Sequence, residues 1–353
     1  MRKSLRNKIQ NRIVQSETSL LEALKQMDAI DKKLLFVFHG KRFLNILSVG
    51  DIQRAILKNT SLETSVEKVL RKNTQTANSL ESIEYIKERM AKFRMECMPI
   101  INDNGELVEV YFWEDLFPSG EKRKVVNLRL PVVIMAGGEG TRLKPLTNVL
   151  PKPLIPIGNK TILEHIMDRF IEVGCNRFYF SVNYKAEMIK HYFKILDHSA
   201  YQISYFEESK PLGTAGSLSL LKDKIDKTFF VSNCDIIIDA EYDEILNYHK
   251  KNGNELTVVS ALKNYSIPYG TIETGKNGTL TGLKEKPELT FQINSGLYIL
   301  EPYLLNEIPE NEYFQITTLI NNIIGRKGKV GVFPVSVGSW KDIGNWDEYL
   351  KNN

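Results

Sequence analysis

The feature that most constrains this chain is a buried-strand pattern that runs straight into glycine. Pro131-Val-Val-Ile-Met-Ala136 is followed at once by Gly137-Gly138-Glu139-Gly140-Thr141-Arg142. A short apolar run closed by glycines reads as an interior strand whose carboxyl end opens into a loop. Glycines let a backbone approach a ligand closely, and their N–H groups can cradle phosphate. The spacing is neither Gly-x-x-x-x-Gly-Lys-Ser/Thr nor Gly-x-Gly-x-x-Gly, so neither a P-loop nor a dinucleotide fingerprint is present. Arg142 adds a planar fork suited to phosphate oxygens. Lys152 adds a point charge between Pro151 and Pro153, which restrict its backbone.

From Leu130 onward, apolar strands such as Phe178–Val182 and Phe229–Ser232 alternate with helical spacing, which argues a parallel-sheet α/β domain. Residues 162–173 have helical periodicity and stop at Gly174, a C-cap signal. In open α/β sheets ligands bind beyond the carboxyl ends of the strands, where the glycine loop lies. The turn residues and charges of Pro118–Lys124 mark a linker. The expected organisation is an N-terminal unit over 1–120, a linker over 121–129 and an α/β unit over 130–353.

The N-terminal third repeats itself. Helical spacing over Ser19–Met27 precedes strand-like Leu34–Phe38 and Phe43–Leu47, and Ser48-Val-Gly-Asp51 opens a helix. A second copy runs through Met98–Ile101, the turn Asn102–Gly105, the strand Leu107–Tyr111 and Phe112-Trp-Glu-Asp115. Neither small sheet buries its face alone, so the copies should pack together.

The 353 residues carry a net charge of only +4, and no basic stripe with interleaved aromatics suggests nucleic acid. No apolar run is long enough to span a membrane, and Met1–Arg12 lacks the apolar stretch of a signal peptide. Cys97, Cys175 and Cys234 have neither metal nor disulfide spacing, which fits a reducing cytoplasm.

The full stretch Ala136-Gly-Gly-Glu-Gly-Thr-Arg-Leu-Lys-Pro-Leu-Thr147, then Pro151-Lys-Pro-Leu154, resembles the signature of nucleotide-sugar pyrophosphorylases, the sugar-1-phosphate nucleotidyltransferases. The resemblance covers residues 130–353 and implies a Rossmann-like mixed-sheet α/β fold. It implies catalytic roles for Arg142 and Lys152, and nucleotide contacts from Ala136, Gly137, Gly138, Gly140, Thr141, Glu208, Gly213 and Thr214. Asp235 of Asn-Cys-Asp and Asp342 of Trp-Lys-Asp match the family's Mg²⁺ carboxylates. Gly270, Glu285, Lys286 and Asn294 match its sugar-phosphate residues. Cys234 replaces the usual glycine, and Gly344-Asn345-Trp346 departs from the common Gly-Thr-Pro, which touches the closing loop. No hexapeptide repeat follows Asp342, so an attached acetyltransferase is not expected.

The helix–strand–strand–helix order of residues 10–117, with Ser/Thr-x-x-Asp after the second strand, resembles a CBS motif pair, an α+β module. That resemblance implies an adenine nucleotide held by Ser48 and Asp51, with Asp115 in the second copy, where Phe112 replaces the hydroxyl residue. It also implies a homo-oligomer, since CBS pairs dimerise. The same aspartates suit helix N-termini.

Together these readings give an enzyme that joins an NTP and a sugar 1-phosphate into an NDP-sugar and pyrophosphate. Glu208–Gly216 resembles the family's base-binding loop, in which guanylyltransferases carry Glu three residues before the proline, as Glu208 stands before Pro211, and that resemblance implies GTP. The CBS-plus-transferase arrangement resembles guanylyltransferases of bacterial nonulosonate (legionaminic acid) pathways, which use glucosamine 1-phosphate. Mannose and manno-heptose 1-phosphates stay open. So do thymidylyl or uridylyl transfer, and a non-catalytic nucleotide sensor.

Overall fold

The computed structural model describes residues 3–72, 74–93, 95–117, 126–196, 199–336, 338–344, 346 and 349–350. The chain divides into two compact units, Met1–Val125 and Val126–Asn353. The expected linker stretch Pro118–Lys124 lies outside the described residues, as does Asn345.

The larger unit is built on a seven-stranded sheet. Its strands in chain order are β1 (Pro131–Met135), β2 (Arg177–Val182), β3 (Gln202–Glu207), β4 (Phe229–Asn233), β5 (Leu256–Ser266), β6 (Glu288–Leu300) and β7 (Val330–Val335). In space they run β3-β2-β1-β4-β6-β5-β7. The first four are parallel, whereas β6 is antiparallel to both of its neighbours. The sheet is therefore mixed, as the resemblance implied, and not parallel throughout, as the alternation alone suggested. The cause is local. β5 and β6 are joined through a small hairpin, Thr271–Thr274 against Leu280–Lys284, and a hairpin returns the chain antiparallel.

Both faces of the sheet are covered, which is why β1 is an unbroken apolar run. Val132 and Ile134 face a core formed with α1 (Ile162–Glu172), α2 (Ala186–Ile195) and α3 (Tyr242–Asn252). Val133 faces the opposite core, with α4 (Ile316–Gly325). Each fully buried side chain of this kind stabilises the fold by about 1.5–3 kcal/mol. The start of α1 is fixed by a capping box: Thr161 N–H donates to Glu164 Oε2 at 2.8 Å, and Glu164 N–H to Thr161 Oγ1 at 3.2 Å. Successive strands leave β1 toward β3 on one side and toward β4 on the other. The strand order reverses between β1 and β4, and ligands bind at such crevices.

The smaller unit contains two three-stranded sheets. In one, Ile13–Gln15 is parallel to Leu34–His39, which is antiparallel to Arg42–Ser48. In the other, Ala77–Asn78 is parallel to Cys97–Ile101, which is antiparallel to Leu107–Phe112. Phe36 and Phe38 of the first share a core with Leu107, Val110 and Phe112 of the second. Helix Val49–Leu57 follows Arg42–Ser48, and the short helix Trp113–Leu116 follows Leu107–Phe112.

Candidate active site

The loop after β1 and the turn after β4 meet at the switch point. Gly140 has φ +64°, a left-handed conformation that glycine adopts without strain. A Cβ there would also lie 3.0 Å from Lys152 Cβ, so the position needs glycine twice over. The turn brings Arg142 and Lys152 to one cavity wall. Lys152 is buried, and its ammonium donates to Asp235 Oδ2 at 2.5 Å. Arg142 reaches the same oxygen at 3.9 Å with its side chain 65% exposed. One cation is therefore held in the buried wall and the other extends toward solvent.

Asp235 and Asp342 come together by strand pairing. Ile236–Ile238 pairs antiparallel with Trp340–Asp342, placing Ile236 opposite Asp342, and Ile343 N–H donates to the Asp235 carbonyl at 2.8 Å. A Cβ on Gly344 would lie 2.6 Å from Asp342 Oδ1, 3.0 Å from Asp235 Oδ2 and 3.2 Å from Arg142 Nη2. Two carboxylates and a guanidinium thus converge on one point, and only a glycine fits beside them. Cys234 is a small buried residue here. Burial, reinforced by the neighbouring Asp235 charge, pushes its thiol up to about 12, which leaves it protonated and unreactive near neutral pH.

Two cavities share this corner. The first, of about 400 Å³, is lined by Gly137, Gly138, Gly140, Thr141, Arg142, Lys152, Glu208, Gly213, Thr214 and Asp235, with Tyr313 at its wall. Ala136 is buried behind it and donates its N–H to the Ser181 carbonyl at 2.9 Å. Thr214 caps α4, its hydroxyl accepting Ile316 N–H at 2.9 Å. The second cavity, of about 330 Å³, contains Asn294, Gln315, Thr317, Trp340 and Asp342. Asn294 reaches it through a β-bulge at Ser295-Gly296, where the β5–β6 register shifts. Gly296 has φ +84°, and a Cβ there would meet Asn233 Nδ2 at 2.6 Å.

Not every expected residue joins the cavities. Gly270, Glu285 and Lys286 gather on the hairpin beyond β5 and β6, all exposed, with Glu285 Oε2 3.0 Å from where a Gly270 Cβ would be. They line neither cavity. The sequence reading did not single out Ser181, Tyr313, Gln315 or Thr317. A hydroxyl inside the apolar run Phe178–Val182 was the available signal for Ser181; the other three had none.

In the smaller unit, Asp51 is buried and returns Oδ2 to Ser48 N–H at 2.9 Å, the capping-box contact of its helix. It also accepts from Arg71 Nε at 2.5 Å and from Arg54. Burial works to raise its pKa, but the bonds from Arg71 and Ser48 outweigh it and hold the carboxyl below its ordinary value. Ser48 Oγ accepts from Arg71 Nη2 at 2.7 Å. Asp115 accepts Phe112 N–H at 2.8 Å and Lys8 Nζ at 2.7 Å, while Arg12 lies 4.4 Å above the Phe112 ring.

Among the described residues no helix is long and apolar enough to cross a membrane. Comparison with known proteins agrees with the geometry. The chain is 32% identical over 237 residues to the mannose-1-phosphate guanylyltransferase catalytic subunit beta of Drosophila pseudoobscura pseudoobscura, spanning 65% of this chain and 63% of that protein. It is 33% identical over 230 residues to the Xenopus tropicalis counterpart, spanning 63% of each. It therefore covers less than two thirds of those relatives' length. The crystal structure of HddC from Yersinia pseudotuberculosis complexed with GMP-PN aligns with TM-score 0.51 at 25% identity, covering 63% of this chain and 97% of that one. The family model described as nucleotidyl transferase matches residues 131–353, and this chain belongs to that family.

Proposed function

We propose that the larger unit transfers GMP from GTP to a sugar 1-phosphate, releasing pyrophosphate and a GDP-sugar. The observation that carries this reading is the convergence of Arg142, Lys152, Asp235 and Asp342 at the β1–β4 switch point, beside a cavity with Glu208 in its wall. A phosphate monoester has a second pKa of about 6, so the attacking sugar-phosphate oxygen is already ionised near neutral pH and needs no general base. That oxygen bonds to the α-phosphorus as the bond to the bridging oxygen of the β-phosphate breaks, and the electron pair leaves with pyrophosphate. Positioning and charge neutralisation then lower the barrier. Exposed Arg142 closes onto the triphosphate, Lys152 holds a fixed charge from below, and the amides of Gly137–Thr141 face the phosphates.

Two carboxylates that share one point beside a phosphate-binding loop suit Mg²⁺, which takes few protein oxygens and leaves the rest to water and substrate phosphates. Asp235 and Asp342 would hold it, with substrate phosphates and water filling the rest. A bound Mg²⁺ supplies charge neutralisation at phosphate oxygens.

Guanine offers two adjacent donors, N1–H and the 2-amino group, to which an ionised carboxylate presents two acceptors. The named relatives support guanine and favour mannose 1-phosphate among the sugars left open, glucosamine 1-phosphate and manno-heptose 1-phosphate being the others. The hairpin carrying Gly270, Glu285 and Lys286 is the sugar-phosphate side of this reading, together with Asn294 of the second cavity. The test is pyrophosphate release across GTP, dTTP and UTP against these sugar phosphates, in wild type and Glu208→Gln. GTP preference that the substitution erodes supports the reading; preference for dTTP or UTP sinks the base assignment; no release with any pair leaves a sensor.

The smaller unit is read as a CBS pair that binds an adenine nucleotide, dimerises the cytoplasmic enzyme and tunes its activity. Its two sheets of like strand order support that reading, and the guanidinium groups of Arg54 and Arg71 around Ser48 and Asp51 suit a phosphate.

A further inference from the structure

We propose that Ser181 is the positioning residue that aims the Glu208 carboxylate, so that base selection depends on a hydroxyl buried inside β2. The proposal rests on reading Glu208 as the guanine-recognising group.

Ser181 is fully buried among Phe180, Val182 and the strands beside it. A hydroxyl persists in such a place only where it has a partner. Its partner is Glu208 Oε1, to which it donates. The other oxygen, Oε2, accepts Leu212 N–H at 3.0 Å. The backbone of Glu208 is held as well: its N–H donates to the Val182 carbonyl at 3.0 Å, and its carbonyl accepts Asn183 Nδ2 at 2.6 Å. Main chain and both carboxylate oxygens are thus pinned from the protein side.

The direction of the hydroxyl chain follows from proton counting. A carboxylate only accepts, so the single Ser181 proton points at Oε1. The Ser217 hydroxyl, also fully buried and 3.0 Å from Ser181 Oγ, can then join the chain only as donor, and Ser181 is closer to it than the Met135 sulfur at 4.0 Å. Each oxygen of Glu208 has two lone pairs and spends one on the protein. One remains on each, enough for two adjacent donors on a base edge. Freed from Ser181, the carboxylate can rotate and offer that edge a single oxygen. Gly137 keeps the open side clear, since a Cβ there would stand 2.9 Å from Oε1.

Inosine triphosphate separates this from a merely structural serine, because it keeps N1–H and lacks the 2-amino group. Wild type should favour GTP over ITP in kcat/KM by roughly tenfold, the worth of one buried hydrogen bond. In Ser181→Ala that ratio should fall to near one. KM for GTP should rise about tenfold, with KM for the sugar phosphate unmoved and thermal melting showing a folded protein. A wild type that does not distinguish GTP from ITP overturns the base reading itself. A wild type that does, with the ratio intact in folded Ser181→Ala, overturns the positioning role. If Ser181→Ala does not fold, Ser217→Ala carries the test: it loses the relay donor and should lower the ratio at least twofold, while an unchanged ratio overturns the proposal.

Discussion

Replacing Lys152 by methionine keeps its alkyl stem and removes its charge, which isolates the ion pair with Asp235. The two charged atoms stand 2.5 Å apart, with side chains only 9% and 14% exposed. At an effective dielectric constant near 20 their attraction is about 7 kcal/mol, most of it offset by the loss of hydration. What a single substitution changes is the orphan it leaves. Breaking a buried pair costs about 3–5 kcal/mol because the remaining charge stays desolvated. Arg142, 3.9 Å away and largely in solvent, recovers at most about 1 kcal/mol. The expected loss for Lys152→Met is therefore about 2–5 kcal/mol in urea unfolding, or roughly 4–20 °C in melting temperature for a unit of this size. Asp235→Asn should lose a similar amount, since it strands a buried ammonium. The double variant strands nothing, so its loss should fall short of the sum by about 2 kcal/mol or more. Turnover behaves differently. Each single variant should drop by about 10²–10³-fold, and the double variant should not recover, because stability is restored without the charges that act on phosphate. Additive stability losses, or single variants within about 0.5 kcal/mol of wild type, would refute the buried pair.

Asp342→Asn should lower kcat by at least about a hundredfold with little change in melting, and EDTA should stop wild-type pyrophosphate release until Mg²⁺ is restored; metal-independent turnover counts against the carboxylate pair. His249 is buried, with Nε2 3.0 Å from Glu301 and Nδ1 2.8 Å from Thr257 Oγ1. Burial, partly countered by Glu301, lowers its pKa below the ordinary value, so the fold favours the neutral ring. Stability should be full above about pH 6.5 and fall as pH drops below it; urea midpoints at pH 5.5 and 7.5 should differ in wild type and differ less in His249→Gln. Calorimetry with AMP and ATP on the full chain should detect a site that Asp51→Ala removes and Asp115→Ala leaves, and insensitivity to Asp51→Ala would reduce the smaller unit to an assembly module.

The candidate site was legible because its residues are bound to strong local signals. A buried strand that ends in glycine fixes where Arg142 must lie, and flanking prolines restrict Lys152. Asp235 ends an apolar strand, so its side of the sheet followed from the pattern. Asp342 was placed by resemblance alone, and the pairing of Trp340–Asp342 with Ile236–Ile238 supplies the physical reason. The direction of β6 was not legible from alternation, since two long strands joined by a hairpin look locally like any other strands. Glu285 and Lys286 keep the expected order along the chain, but order says nothing of reach, and the hairpin holds them off the cavity walls. Ser181 was hidden for the opposite reason: one serine in an apolar strand is common, and only the neighbouring strand that carries the chain to Glu208 reveals its use.

The smaller unit shows how one spacing can serve two purposes. Asp51 and Asp115 both return a carboxylate oxygen to the backbone N–H three residues before them, at 2.9 Å and 2.8 Å. That contact accounts for an aspartate at each place whether or not a ligand ever binds. The difference lies in what else each carboxylate meets. Asp115 is satisfied by Lys8 on the first helix, Lys3–Ile9, beside a Phe112 ring covered by Arg12. Asp51 is buried deeper and meets the guanidinium of Arg71, which also bonds Ser48. A nucleotide entering at Asp51 would exchange one charge-assisted partner for another, its ribose taking the carboxylate while Arg71 turns to its phosphate. At Asp115 Phe112 stands where the hydroxyl would be, and the nearby guanidinium of Arg12 lies over that ring instead of bonding the carboxylate. The asymmetry between the two copies therefore follows from Arg71 and Phe112, and the shared aspartates alone do not predict it.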